Sequence, residues 1–272
     1  MSESLETVAS DSDRYTVPAL ERGLRLLERF GPRQPVWTAP ELARALELPR
    51  STVFRMLTTL EGMGYLQRVG TEYRLGLSVL RLGYDYLSTQ PLAELAQPVL
   101  QKLCDEQGLT SNLALRDGDQ VVYVSRVAPS GAFQGAVRVG SRLPAHATVL
   151  GRALLQDMDA MQLQAVFGSQ QLPQFSESTP NTVAQLLSLL EQDRQRGYAM
   201  GEGFYEPGVS SIAVPVRCGQ GQDSGAIVAG LALAIPFTEL APERTQQWVQ
   251  ALTAAAQHLS AHLRTLPAGA LR

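Results

Sequence analysis

TAPELARALELPRSTVFRMLTTLEG, residues 38 to 62, is the stretch that decides how the N-terminal part of this chain folds. It opens on Thr38 with Glu41 three residues later and Pro40 in the first turn, a pattern that starts a helix by satisfying its free N–H groups. Leu42, Ala43 and Leu46 supply the buried side of that helix. After the short Glu47-Leu48-Pro49 link, a second helix is expected from Arg50 or Ser51 to Gly62, and two short helices so tightly joined make a helix-turn-helix. At 100° per residue, Val53, Met56, Leu57 and Leu60 gather on one side while Ser51, Arg55 and Thr58 fall opposite. That free face carries one arginine, small hydroxyls and no acid, as a helix entering a major groove requires, because a carboxylate there would face phosphates. A protein-interaction domain could present the same shape with a merely solvated face. Phe54 fits two roles, at the edge of the core or against a thymine methyl.

The flanks extend the reading. Upstream, Leu20, Leu24, Leu27 and Phe30 recur at helical spacing, and Gly31-Pro32 ends that helix. Downstream, Tyr65-Leu66-Gln67-Arg68 and Glu72-Tyr73-Arg74-Leu75 bracket a glycine-containing turn and predict a hairpin wing, with Arg68 and Arg74 placed for phosphates or a minor groove. Charge agrees. Residues 18 to 75 hold nine arginines and six glutamates, a net +3, whereas residues 1 to 17 and the remainder beyond 75 are each −3. Arginine's planar donor fork suits phosphate and guanine. Thr38, Arg50, Ser51, Thr52, Arg55, Thr58, Arg68 and Arg74 are therefore the candidate DNA contacts.

A helix suggested by Leu77, Leu80, Leu82, Tyr84 and Leu87 stops near Ser88-Thr89-Gln90-Pro91. Beyond it Leu92, Leu95, Ala96, Val99, Leu100 and Leu103 mark a helix closed by Gly108, after which the period switches to two. Strands are expected at 111 to 116, 120 to 127, 134 to 140, 211 to 217 and 226 to 235, and helices at 148 to 167, 181 to 196 and 242 to 265. The fold class is α+β, a winged helix-turn-helix followed by a mainly antiparallel sheet flanked by helices. The expected organisation is a disordered tail at 1–17, a DNA-binding domain at 18–75, a linker helix at 76–90 and a second domain at 91–266.

Composition and motifs exclude several classes. With 44% hydrophobic and 18% charged residues the chain is ordinary globular material, with no apolar run long enough for a membrane and an acidic start unlike a secretory peptide, so a cytoplasmic location is expected. Cys104 and Cys218 stand far apart in no CxxC pattern. His258 and His262 are four apart, but no carboxylate completes a zincin pattern, and exposed helix histidines are the expectation. GEGFYEPG at 201 to 208 is not GxGxxG, no Walker sequence or GxSxG elbow occurs, and Glu202 and Glu206 lie in a Gly/Pro-rich loop. No cofactor, metal or catalytic apparatus is expected.

Several long segments in order resemble the IclR family of bacterial regulators. ALERGLRLLERF, APELARALELPRSTVFRMLTTLEGMGYLQR and YRLGLSVLRLG are similar to its winged helix and linker helix, while DGDQVVYVSRV, VRVGSRLPAHATVLGRALL and RQRGYAMGEGFYEPGVSSIAVPV are similar to its effector domain, a GAF/PAS-like fold. LGYDYLSTQPLAELAQPVL and LPAHATVLGRALL resemble the branch controlling aromatic-acid catabolism, the protocatechuate and p-hydroxybenzoate pathways. The resemblance implies effector contacts in three places. The first is Thr148, Val149, Leu150 and Gly151 at a helix start, with His146 either a pocket residue or a local hydrogen-bond cap. The second is Gly201, where glyoxylate-type members have an acid, with Ser211, where they have cysteine. The third is Ala232 and Ala234, which replace serines. These replacements make the implied pocket more apolar, favouring an aromatic acid held by helix-start amides over glyoxylate.

The resulting expectation is a DNA-binding regulator, a homodimer or tetramer on a palindromic double-stranded operator, controlled by a small organic, aromatic acid. The alternative is a ligand-binding or enzymatic domain whose helix-turn-helix serves only oligomerisation.

Overall fold

The computed structural model describes residues 15–31, 34–89, 91–131, 137–168, 171–205, 208–219, 225–236 and 242–265. Most of the expected tail therefore lies outside the described residues. The chain divides into two compact units, Met1–Tyr86 and Leu87–Arg272.

In the first unit α1 (Pro18–Leu27) precedes a short strand β1 (Val36–Thr38), the helix pair α2 (Ala39–Ala45) and α3 (Arg50–Gly62), the hairpin β2 (Leu66–Val69) and β3 (Glu72–Leu75), and most of α4 (Ser78–Ser88), whose last two residues belong to the second. A small core forms from Leu26, Phe30, Leu42, Val53, Leu57, Leu66 and Tyr73. Periodicity marks Leu20 and Leu24 of α1, yet both are exposed and Leu26 is the buried residue of that helix. The packed edge is offset from the one that the leucine repeat alone indicates. Strand β1 is an addition to the expected elements. It joins the hairpin in the order β1-β3-β2, with Trp37 opposite Tyr73, a pairing of distant residues that no local pattern announces.

The second unit is a six-stranded antiparallel sheet in the order β6-β5-β4-β9-β8-β7. Its strands are β4 (Thr110–Asp117), β5 (Gln120–Val127), β6 (Arg142–Pro144), β7 (Ala199–Glu202), β8 (Val209–Cys218) and β9 (Ala226–Pro236). Helices α5 (Pro91–Gln107) and α9 (Pro242–Leu263) cover one face, where Leu113, Ile212, Val214, Leu231 and Leu233 meet Leu100, Trp248 and Leu252. Helices α6 (Val149–Leu155), α7 (Ala160–Phe167) and α8 (Val183–Arg196) pack on the other, against the smaller Ala114, Ala213 and Ala232. Along β4, β8 and the middle of β9, alternation thus sends large side chains one way and small ones the other.

The structure departs from the sequence expectation in two places. The continuous helix expected at 148 to 167 is two helices. Asp159 caps α7, its carboxylate accepting from Gln162 N at 2.8 Å while Gln162 reaches back to Asp159 N at 2.9 Å. Such a reciprocal box starts a new helix. The strand expected at 134 to 140 lies partly outside the described residues, and its described part is not strand; Gly140 has φ 86° and the Arg138–Ser141 stretch turns. The strand beside β5 on the side away from β4 is β6, where Val121 faces Leu143. Short strand β7, pairing with β8, is a further addition.

Candidate functional site

Two surfaces carry the chemistry, one on each unit. On the first, α3 buries Val53 and Leu57 while Arg50, Ser51, Phe54, Arg55 and Thr58 are exposed and Thr52 is half-buried. The exposed phenylalanine removes one of its two open roles, since a side chain 53% accessible is not core. Arg50 and Arg55 have no ion-pair partner among the described residues, which leaves their guanidinium groups available. In the wing, Arg68 Nε donates to Gly70 O at 2.8 Å and Arg74 donates to Gln67 Oε1 at 3.1 and 2.9 Å. These exposed contacts orient the arginines without neutralising them. Thr38 is used differently. Its hydroxyl and backbone N–H both donate to Glu41, at 2.7 and 2.8 Å, so it is a helix cap with its side-chain proton already committed. Those two bonds hold the Glu41 carboxyl below its usual range.

In the second unit a cavity of about 660 Å³ opens on the small-residue face of the sheet, within the size range of small-molecule sites. Ala232 and Ala234 of β9, Ser211 of β8 and Gly201 of β7 form its floor, and Thr148, Val149 and Leu150 its wall. Register places Ala234 beside Ser211 and Ser211 beside Gly201, so these three sit in one row across adjacent strands. Seven of the nine residues expected at an effector site are thus brought together.

The other two are not in the lining. Gly151 faces the backbone instead, where a Cβ would come within 1.9 Å of the Ala145 oxygen; glycine allows that close approach. His146 is buried on a single 3-10 turn, Ala145–Ala147, with Nε2 2.8 Å from Pro173 O and its ring against Phe167 and Phe175. Burial pushes its pKa down, opposed more weakly by the Pro173 carbonyl and Asp119. Its ring packs against these phenylalanines, outside the cavity lining. The helix-start amides are partly used as well, since Gly151 N donates to Thr148 Oγ1 at 3.0 Å and Arg152 N to Thr148 O at 3.1 Å.

Gly201 has its own consequence. A Cβ there would meet the Phe204 ring at 2.5 Å, so the missing side chain is what lets Phe204 fold against the cavity. The Phe204 ring lies 4.6 Å from the Arg152 guanidinium carbon, and its carbonyl accepts from Ser176 and Thr179, at 3.1 and 2.5 Å. Behind it Arg152, 1% exposed, pairs with equally buried Asp193 at 2.9 Å and donates to Met200 O, while Arg196 closes on the same carboxylate. Burial lowers Arg152 to about 10 and raises Asp193. The lining also includes Asn112, Tyr123, Arg126 and Phe204, which residue-by-residue reading of the sequence passes over. A polar residue amid the apolar alternation of β4 is the available signal for Asn112.

No group of three or more metal-ligating side chains occurs among the described residues, and none of their helices is long and apolar enough to cross a membrane. The sequence profile described as IclR helix-turn-helix domain matches residues 19–70, and that described as bacterial transcriptional regulator IclR C-terminal matches 84–261. The chain is 34% identical over 219 residues to the Pca regulon regulatory protein of Pseudomonas putida, covering 80% of this chain and 75% of that protein. Among solved structures, an IclR homologue from Microbacterium hydrocarbonoxydans complexed with 4-hydroxybenzoate superposes with TM-score 0.78 at 26% identity, covering 91% of this chain and 100% of that one. An IclR transcriptional regulator from Alicyclobacillus acidocaldarius gives TM-score 0.79 at 25% identity, covering 92% and 100%. A helix that exposes Arg50 and Arg55 while burying Val53 and Leu57, a hairpin following it and a separate ligand-sized cavity agree with both profiles: the chain belongs to the IclR family of helix-turn-helix transcriptional regulators.

Proposed function

We propose that the operator binding of this regulator is controlled by a small aromatic acid held in the cavity of the second unit. The carrying observation is the cavity itself, about 660 Å³ over a floor of Ala232, Ala234 and Gly201. A floor of small apolar side chains leaves room for a ring and offers few partners to an ion as small and polar as glyoxylate. Similarity to the Pca regulon regulatory protein and to a homologue complexed with 4-hydroxybenzoate favours the same ligand class.

On the DNA side, Arg55 with Ser51, Thr52 and Thr58 contacts base edges, and Arg50, Arg68 and Arg74 hold phosphates. Thr38 contributes by starting α2. The acting species is a homodimer or dimer pair on a two-fold operator. Exposed Leu20 and Leu24 on α1 and Leu77, Leu80 and Tyr84 on or beside α4 support a second copy, because α4 buries none of its own residues. Control follows if the acid binds two arrangements of the DNA-binding units with different affinity, α4 carrying the coupling.

Thermal unfolding of the full chain with added acid tests the ligand reading. Binding to the folded state raises the transition, by about 2.7 kcal/mol at a hundred-fold excess over Kd. A shift with 4-hydroxybenzoate and none with glyoxylate is expected; the reverse pattern contradicts it.

A further inference from the structure

The polar groups of the cavity are not spread evenly. On β4, Ser111 donates to the Leu100 carbonyl of α5 at 2.8 Å and Leu113 packs in the core on that side, so alternation turns Asn112 to the opposite, cavity face. On β5, Ser125 donates to Gln97 of α5 at 2.7 Å, and its neighbour Arg126 lines the cavity. Asn112 stands directly opposite Arg126 on one side and Ala232 on the other. Cross-strand neighbours of this kind have Cβ atoms about 5 Å apart. One end of the alanine floor therefore carries an amide and a guanidinium side by side.

Among the described residues, neither group is accounted for by its surroundings. Asn112 is 6% exposed, and its Oδ1 is buried with no hydrogen-bond partner. A buried acceptor left unpaired is costly, and native structures keep one where something else completes it. Arg126 is half-buried and has no carboxylate partner among the described residues, unlike Arg152 and Arg217, which are both paired. A cation facing a largely apolar cavity attracts an anion, and the fork of arginine matches a carboxylate in two parallel bonds. The orphan oxygen beside it asks for a donor, which a carboxylate cannot supply and a hydroxyl can.

We propose that the cavity reads a hydroxylated organic acid at two points, Arg126 pairing with the carboxylate and Asn112 Oδ1 accepting from the hydroxyl. The carbon skeleton bridges the two groups, with Ala232 beside it. This rests on the effector reading above and sharpens it. It moves the anionic anchor from the helix start, where Thr148 already occupies two amides, to the β4–β5 edge of the floor. It also makes the ligand's hydroxyl a requirement, because a site built around a buried acceptor rejects the analogue lacking the donor.

The test is calorimetric titration of the full chain with 4-hydroxybenzoate, benzoate and 4-hydroxybenzamide, using the parent protein, Arg126→Gln and Asn112→Ala. The parent is expected to prefer 4-hydroxybenzoate about tenfold or more over each analogue. Arg126→Gln should abolish the preference over the uncharged amide and keep the preference over benzoate; Asn112→Ala should do the opposite. The ligand-free melting temperature of Asn112→Ala should be no lower than that of the parent, since an orphan acceptor has been removed. Equal parent affinity for benzoate and 4-hydroxybenzoate overturns the two-point reading, as do preferences that survive both substitutions. A lowered melting temperature with the hydroxyl preference intact makes Asn112 structural and overturns its part. A folded parent that binds none of the three overturns the effector reading beneath it.

Discussion

Arg152 is the residue whose structural role is least apparent from its neighbours in sequence. It sits in the apolar run of α6, and its charge is met by Asp193 from α8, 41 positions away. The burial that lowers Arg152 and raises Asp193 opposes their mutual attraction, so the pair adds less stability than its geometry suggests, but removing one partner strands the other. Arg152→Ala is expected to cost about 3–5 kcal/mol in urea unfolding of the second unit. A loss under about 1 kcal/mol would mean that Asp193 finds water or is satisfied by Arg196 alone. His146 gives a pH dependence. Its pKa is lowered in the fold, mainly by burial, so as pH drops through the unfolded value near 6.5 the unfolded chain takes up a proton that the folded ring resists. Stability should therefore fall as pH goes from about 7.5 downward and level off below the folded pKa. Comparing melting temperatures at several pH values with those of His146→Gln isolates this part: the variant should show the shallower slope.

At the scale of elements, what local chemistry specifies is legible in the sequence and what depends on distant partners is not. Helices α2 and α3 follow from a cap, a proline and a repeat within a single short stretch, and the hairpin from a glycine turn between two short strands. Strands β1 and β7 are short and become strands only by pairing with β3 and β8. The break between α6 and α7 is written in Asp159 and Gln162, a capping box overshadowed by apolar residues on either side. The same division governs function. On α3, exposure of Arg55 opposite buried Val53 and Leu57 leads to a prediction for sequence readout. Arg55→Ala should cost about 1–3 kcal/mol of discrimination between operator and altered operator. Arg74→Ala, in the wing, should weaken all duplexes alike and reduce the salt slope of binding by about one. Competition gel shifts across a salt series separate the two, and equal behaviour of both variants would count against the division of labour.

For the molecule as a whole, the distribution of charge along the sequence already points to the DNA-binding unit, whose +3 lies between two negative segments. The cavity of the second unit is legible only through resemblance, because its floor is drawn from β7, β8 and β9 and its polar edge from β4 and β5, adjacent only once the sheet has formed. Resemblance locates the floor and the α6 wall. It passes over Arg126 and Asn112, whose significance comes from register and from an unpaired atom, neither of which a motif contains.

Coupling between the acid and the operator is read by fluorescence anisotropy of the full chain. The probes are the duplex upstream of its own gene and an unrelated duplex, titrated across salt with and without saturating 4-hydroxybenzoate. Preference for the upstream duplex is expected, with a change in that affinity of about 5- to 150-fold when the acid is present. Equal affinity for both duplexes, or a preference that saturating acid leaves unmoved, would contradict this reading.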